Sequence, residues 1–175
     1  MYLRMLFTAL LLLAVTACSS QYPNRSPLGE TFPNVAGESL AQQQMQLPDD
    51  LVQEPVILLL GYVQDAQFDI DRWLIGLDMK QVPATFYELP TIQGMFPRMF
   101  KTQINNGMRK GIPKELWGGV ITIYQDGDSI QKLTGNTHPN NARVMLLDRQ
   151  RKIIYFYDEG FSVSALNELI STLDQ

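Results

Sequence analysis

The chain is short of the residues on which most catalytic chemistry depends. Cys18 is the only cysteine in 175 residues, so no intrachain disulfide, Cys-x-x-Cys pair or cysteine-built metal site can form. His138 is the only histidine, a poor basis for a Ser-His-Asp set. No Gly-x-x-x-x-Gly-Lys phosphate loop is present. Basic residues are in the minority, 14 Lys and Arg against 18 Asp and Glu for a net charge of −4, which disfavours general nucleic-acid binding. Acids are missing from residues 89–114, where Arg98, Lys101, Arg109, Lys110 and Lys114 all carry positive charge. That stretch reads as a solvated helix face, with an anionic partner or lipid headgroups as the alternative. Without disulfides the fold must rest on its core, and a domain of about 150 residues buries roughly 70% of its unfolded surface.

The first residues carry a targeting pattern. Arg4 precedes an apolar run over residues 6–14 that is too short to span a bilayer as a mature helix. Val15-Thr16-Ala17-Cys18 follows directly. Small residues ahead of a cysteine behind such a run resemble the lipobox of bacterial lipoproteins. The resemblance implies that residues 1–17 are a signal peptide, cut before Cys18, and that Cys18 is diacylated on its thiol and acylated on its new amino group. Ser19, rather than Asp, after the cysteine implies the outer membrane, periplasmic face. Loss of Arg4 with the signal moves the net charge from −4 to −5. Residues 18–31, rich in Ser, Pro, Asn and Gly, read as a flexible lipidated tether, and residues 32–175 as one domain.

That domain is organised around a buried strand running into an amphipathic helix. Val56, Ile57, Leu58, Leu59 and Leu60 form an unbroken apolar run, the pattern of a strand covered on both faces. Ile70, Trp73, Leu74 and Leu77 then fall at i, i+3, i+4 and i+7, a helix ending near Lys80. Residues 32–47 read as an edge hairpin bending near Gly37. Residues 84–89 read as a second strand, and a helix with Pro97 at its first position puts Phe96, Met99, Phe100, Ile104 and Met108 on one core-facing side. Residues 116–124 read as a third buried strand with Trp117 in packing, and Asp126-Gly127-Asp128 as a turn. Residues 144–147 and 153–157 form a hairpin across a charged turn. A last helix starts near Ser162 or Ser164 and buries Leu166, Leu169, Ile170 and Leu173.

This order resembles the thioredoxin-like fold in its peroxiredoxin-type form, which implies an α/β three-layer sandwich, a mixed sheet with helices on both faces. The segments QLPDDLVQEPVILLLGY and NARVMLLDRQRKIIYFYDEGFSVSALNELISTL carry the likeness. Within that superfamily, the Leu-x-Asp strand end at residues 146–148, the basic turn and the second strand are similar to the thioredoxin-like assembly factor of mitochondrial ATP synthase. Thioredoxins carry Cys-x-x-Cys at the helix start, where the dipole lowers a thiol pKa. The corresponding residues are Gln64-Asp65-Ala66-Gln67, which cannot attack a disulfide or a peroxide. The cis-proline that thioredoxins place before the strand starting at Val144 is also absent from Asn141-Ala142-Arg143.

Asp65 therefore reads as an N-cap and Asp69 as a charge favouring the helix start. The expected function is a redox-inactive, lipid-anchored binding or assembly protein, not an enzyme, with no cofactor, no metal and no nucleic acid. It would meet a protein partner through Tyr62, Gln64, Asp65, Gln67, His138 and Asn141, grouped at one sheet end by fold analogy. The alternative is a copper chaperone or thiol-independent enzyme using the His138 loop with Asp65 or a methionine. Copper chaperones of the cytochrome-oxidase-assembly class share the fold and a histidine at this place, with two cysteines that are missing here.

Overall fold

The computed structural model describes residues 20–52 and 54–174. Residues 1–17 and the acylation candidate Cys18 lie outside the described residues.

The apolar run at residues 56–60 becomes β3 (Val56–Gly61), buried along its whole length. Side-chain alternation sends Leu58 and Leu60 into one apolar cluster and Ile57 and Leu59 into another. β4 (Thr85–Pro90) pairs with it in parallel, with Leu59 opposite Glu88 and Gly61 opposite Pro90. On its other side β6 (Arg143–Leu147) runs antiparallel, Leu60 facing Arg143 and Val56 facing Leu147, and β7 (Ile153–Tyr157) closes that edge. The four form a mixed sheet of order β4-β3-β6-β7. A second sheet holds β1 (Val35–Ser39), β2 (Gln44–Leu47) and β5 (Ile121–Thr122) in the order β2-β1-β5. Single parallel bridges, Glu88 to Val120 and Thr91 to Ile123, join β5 to the strand beside it, so the two sheets are continuous.

Helices cover both faces. On one side α1 (Gln67–Met79) and the C-terminal helix (Val163–Leu173) bury Ile70, Trp73, Leu77, Leu166 and Leu169. Trp73 stacks edge-on against Phe161 at 5.4 Å and Tyr157 at 5.9 Å. Ser162 caps the C-terminal helix, its hydroxyl accepting from the Ala165 N–H. The opposite cluster gathers Phe32, Leu47, Leu51, Ile130 and Ile153 against β3. This is the expected α/β sandwich, and the central strand, both flanking helices and the terminal hairpin lie where periodicity predicts them.

Five local expectations fail. Gly37 sits inside β1 opposite Met45, and the chain bends at residues 40–43 instead. Its lack of a side chain serves packing, because a Cβ there would lie 2.5 Å from Ile121 Cγ2. Residues 116–124 do not form one strand: Leu116 ends an exposed 3₁₀ turn (Lys114–Leu116), and Trp117 packs beneath Arg109, its guanidinium 5.6 Å from the ring. Residues 126–128 are the start of a helix (Gly127–Thr134) rather than a plain turn. The Asp126 carboxylate is taken by the Ala36 N–H of β1, and Gly127 passes so close to Ile92 that a Cβ would meet its carbonyl at 2.3 Å. The single helix expected around Pro97 is two, α2 (Met95–Met99) and α3 (Lys101–Gly111), broken at Phe100, and Met99 is 73% exposed rather than in the core.

The fifth is the flexible tether. Residues 20–31 lie against the domain, held by Asn24, Asn136 and backbone pairing to β7. Composition alone reads these residues as mobile, yet asparagine side chains matched to a groove of backbone groups hold them in place.

Candidate binding cleft

Where β3 ends, Gly61 lets α1 approach closely, since a Cβ there would sit 3.0 Å from Ile70 Cδ1. The chain then crosses the sheet end through a 3₁₀ turn (Gln64–Ala66) into α1. Ala66 is buried under the turn, while Val63, Gln64 and Asp65 face outward. Between this turn and α3 opens a cleft of about 920 Å³. Phe68, Ile104, Met108 and Ile112 line its apolar walls, and Glu88 and Pro90 its floor. Of the apolar stripe expected to pack into the core, Ile104 and Met108 line this cleft instead.

Glu88 is only 8% exposed. Burial pushes its carboxyl up to about 7, the Asp71 carboxylate adds to the rise, and the Gln67 amide offsets part of it. Gln67 also donates from Nε2 to Asp71 Oδ1 at 2.9 Å. The cleft thus offers an apolar slot with one carboxyl whose charge changes near neutral pH. A lone acid inside the apolar stretch ATFYEL is the sequence signal that marks Glu88.

The six residues expected to meet a partner divide into separate groups. Tyr62 is buried: its hydroxyl lies 2.5 Å from Thr134 Oγ1, and the Arg143 guanidinium stacks 4.5 Å above its ring. It supports the turn from beneath and borders the cleft with the small part of its ring left exposed, while its hydroxyl is satisfied by protein groups. Burial pushes that hydroxyl up to about 12. Gln64, Asp65 and Gln67 do line the cleft. Asp65 and Asn141 also face each other across a smaller cavity of about 410 Å³, with Arg72 and Glu159. His138 lines neither cavity. Its Nδ1 lies 3.3 Å from the Asn24 amide nitrogen, and among the described residues no three His, Cys, Asp or Glu side chains gather as a metal site requires.

Two acidic expectations change as well. Asp65 makes no cap hydrogen bond; the residue before α1 is Ala66 and the one before the 3₁₀ turn is Val63. Asp69 is buried rather than solvated at the helix start, accepting from the Ala142 N–H at 2.9 Å and the Phe161 N–H at 2.7 Å. It ties α1 to the loops before β6 and before the C-terminal helix. Arg143 is fully buried, donating to the His138 and Asn141 carbonyls, both at 2.7 Å, while its Nε has no partner among the described residues. Desolvation lowers its pKa. A single arginine opening an otherwise apolar strand marked it in sequence.

The basic stretch is mostly committed to the fold. Arg98 donates to the Tyr124 and Gln125 carbonyls, Lys101 pairs with Glu38 at 3.2 Å, and Arg109 donates to the Leu40 carbonyl.

No protein-family model matches the chain, and no curated protein matches it in sequence. Solved structures do match in fold. A thiol peroxidase from Chromobacterium violaceum superposes with a TM-score of 0.60 at 12% identity, covering 89% of this chain and 92% of its own. The copper-bound ScoI of Arabidopsis thaliana gives 0.54 at 10% identity over 82% of this chain and 98% of its own. An exposed lipoprotein thioredoxin of Streptococcus pneumoniae gives 0.52 at 8% identity over 79% and 98%. The domain is thioredoxin-like in fold. At the helix start where thioredoxins carry their cysteines, this domain has Gln64 and Gln67 beside an apolar cleft.

Proposed function

We propose that this protein is a lipid-anchored, periplasm-facing binding protein of the bacterial envelope, an assembly or scaffolding factor that acts without thiol chemistry. The observation that carries the reading is the cleft of about 920 Å³ at the sheet end, walled by apolar side chains and floored by Glu88. Its volume lies in the range of ligand-binding clefts, and the residues at the adjoining turn are amides and a carboxylate, none of which is a competent nucleophile toward sulfur or peroxide. Acylation of Cys18 supplies the anchor, each buried CH₂ contributing about 0.8 kcal/mol.

The test is photo-crosslinking in cells from position 108 in the cleft wall, with identification of captured proteins by mass spectrometry. Reproducible capture of one membrane complex, weakened several-fold by Gln64→Arg at the rim, is the expected result. Absence of any specific product, or capture indifferent to that charge, refutes binding through the cleft. Copper carriage through His138 has less support, since that ring faces the residue 24 segment. Metal titration with and without His138→Ala would reveal a tight site there if one existed.

A further inference from the structure

We infer that residues 20–31 are a strap that seats the domain on a neutral lipid surface with the cleft end of the sheet toward the bilayer. The inference rests on the proposed anchor at Cys18.

The strap begins at the cleft end. The Asn136 side-chain amide donates to the Ser20 carbonyl at 2.9 Å and accepts from the Tyr22 N–H at 2.7 Å, and Tyr22 accepts the Asn136 N–H in return. Asn136 is itself buried and braced by Gln131. Asn24 then accepts from the Thr137 N–H and hydroxyl and donates to Asp158, while the Arg25 N–H donates to the Thr134 carbonyl. Farther along, Gly29 and Glu30 pair with Ile153 at the other end of the sheet. Gly135, at φ +79°, passes so near the strap that a Cβ would lie 2.2 Å from Asn24 Cα. The strap is therefore fitted to its seat.

Asn136 precedes β6, whose first residue Arg143 pairs with Leu60 at the end of β3. The strap is linked to the cleft through Asp128: the Tyr22 hydroxyl donates to it, and it accepts from Gln93, next to Ile92 in the cleft lining. Two residues of extended chain span at most about 7 Å, so Cys18 cannot stray far from Ser20, and acyl chains on it enter the membrane beside the cleft end. The opposite turn at residues 148–152 lies the length of β6 away, about 17 Å at 3.3 Å per residue.

The surface at this end suits a lipid interface. Val63 and Phe68 line the cleft and are exposed there, Phe68 by 71%. Apolar side chains ringing an anchor insert among headgroups and acyl boundaries. Asp65, Asp71, Asp128, Asp158 and Glu159 outnumber Arg72 at this end, so attraction to anionic lipid is not the seating force, and the occupant is a zwitterionic surface.

The test uses full-length acylated protein in phosphatidylcholine vesicles, with a fluorophore on Gln64→Cys or on Arg149→Cys and a headgroup-level lipid quencher. Quenching at position 64 is expected to exceed that at 149 by about threefold, given that separation. Asn24→Ala with Asn136→Ala should bring the two positions near parity, and Tyr22→Phe, a milder change that preserves the fold, should give an intermediate ratio. Equal quenching in the unmodified strap overturns the orientation. A ratio that survives the strap substitutions overturns the strap as its cause. The mass of the membrane-extracted chain separates these from failure of the anchor: without acyl groups on Cys18, the proposed function loses its membrane attachment and this inference falls with it.

Discussion

Replacing Glu88 by Gln should remove a pH dependence of stability that the wild type carries between acid and neutral pH. The carboxyl is 8% exposed, and burial lifts it from an ordinary 4.5 to about 7. The folded state therefore holds a proton that the unfolded chain releases across that interval. Below the unfolded value both states are protonated and nothing is lost; as pH rises through the folded value, stability falls, and above it the loss is constant. A displacement of this size corresponds to about 3 kcal/mol at the plateau. Urea unfolding from pH 4 to pH 8 measures it, and with a slope of about 2 kcal/mol per molar the midpoint should move by about 1.5 M relative to the Gln variant. Glu88→Gln should match wild type at pH 4 and be the more stable protein at pH 8. Asp158 is also raised by burial and contributes with the same sign, but it is common to both proteins and cancels in the comparison. Parallel stability curves for the two proteins would refute the argument that Glu88 is desolvated by the cleft.

Asp69→Ala removes a buried carboxylate that two backbone N–H groups share. At about 1.5–3 kcal/mol for each hydrogen bond to a charged group, the loss should be about 3–5 kcal/mol by thermal or urea melting. The exposed Asp78→Ala control should move stability by less than about 0.5 kcal/mol. Gly135→Ala places a Cβ 2.2 Å from Asn24 Cα at a positive φ, so the strap must lift; the expected cost is about 1–3 kcal/mol. Trypsin cleavage after Arg25 should accelerate several-fold, read by gel against time.

What periodicity can report is an apolar face, and what it leaves open is the material that covers the face. For β3, α1 and the C-terminal helix the cover is the rest of the core, and sequence reading places them correctly. The same logic assigns Ile104 and Met108 to the core, whereas they line an open cleft, and it misses the break at Phe100 because nothing local marks it. Asp69 looks from its position like a charge complementing a helix dipole. Only the arrival of residues 142 and 161, far away in the chain, turns it into a buried bracket. Fold analogy puts Tyr62 on the contact surface, whereas Arg143 covers its ring and leaves it only bordering the cleft. Residues 20–31 show the same limit from the other side: Asn and Pro read as flexible until Asn136 and Gly135 provide a fitted seat.

These corrections bear on function together. The residues beneath the turn after β3 are consumed by structure: Asp69 binds two loops, Tyr62 satisfies Thr134, and Arg143 holds the carbonyls of the loop before β6. The groups beneath the turn are committed in this way, while Gln64, Asp65 and Gln67 line the cleft. The turn is well suited to hold a fixed shape, and a preformed cleft loses less entropy when it is filled than one that must be ordered by its partner. The strap extends that rigidity to the loop at residues 134–137. The arrangement presents Gln64, Asp65 and Gln67 at the rim of the cleft and Glu88 within it.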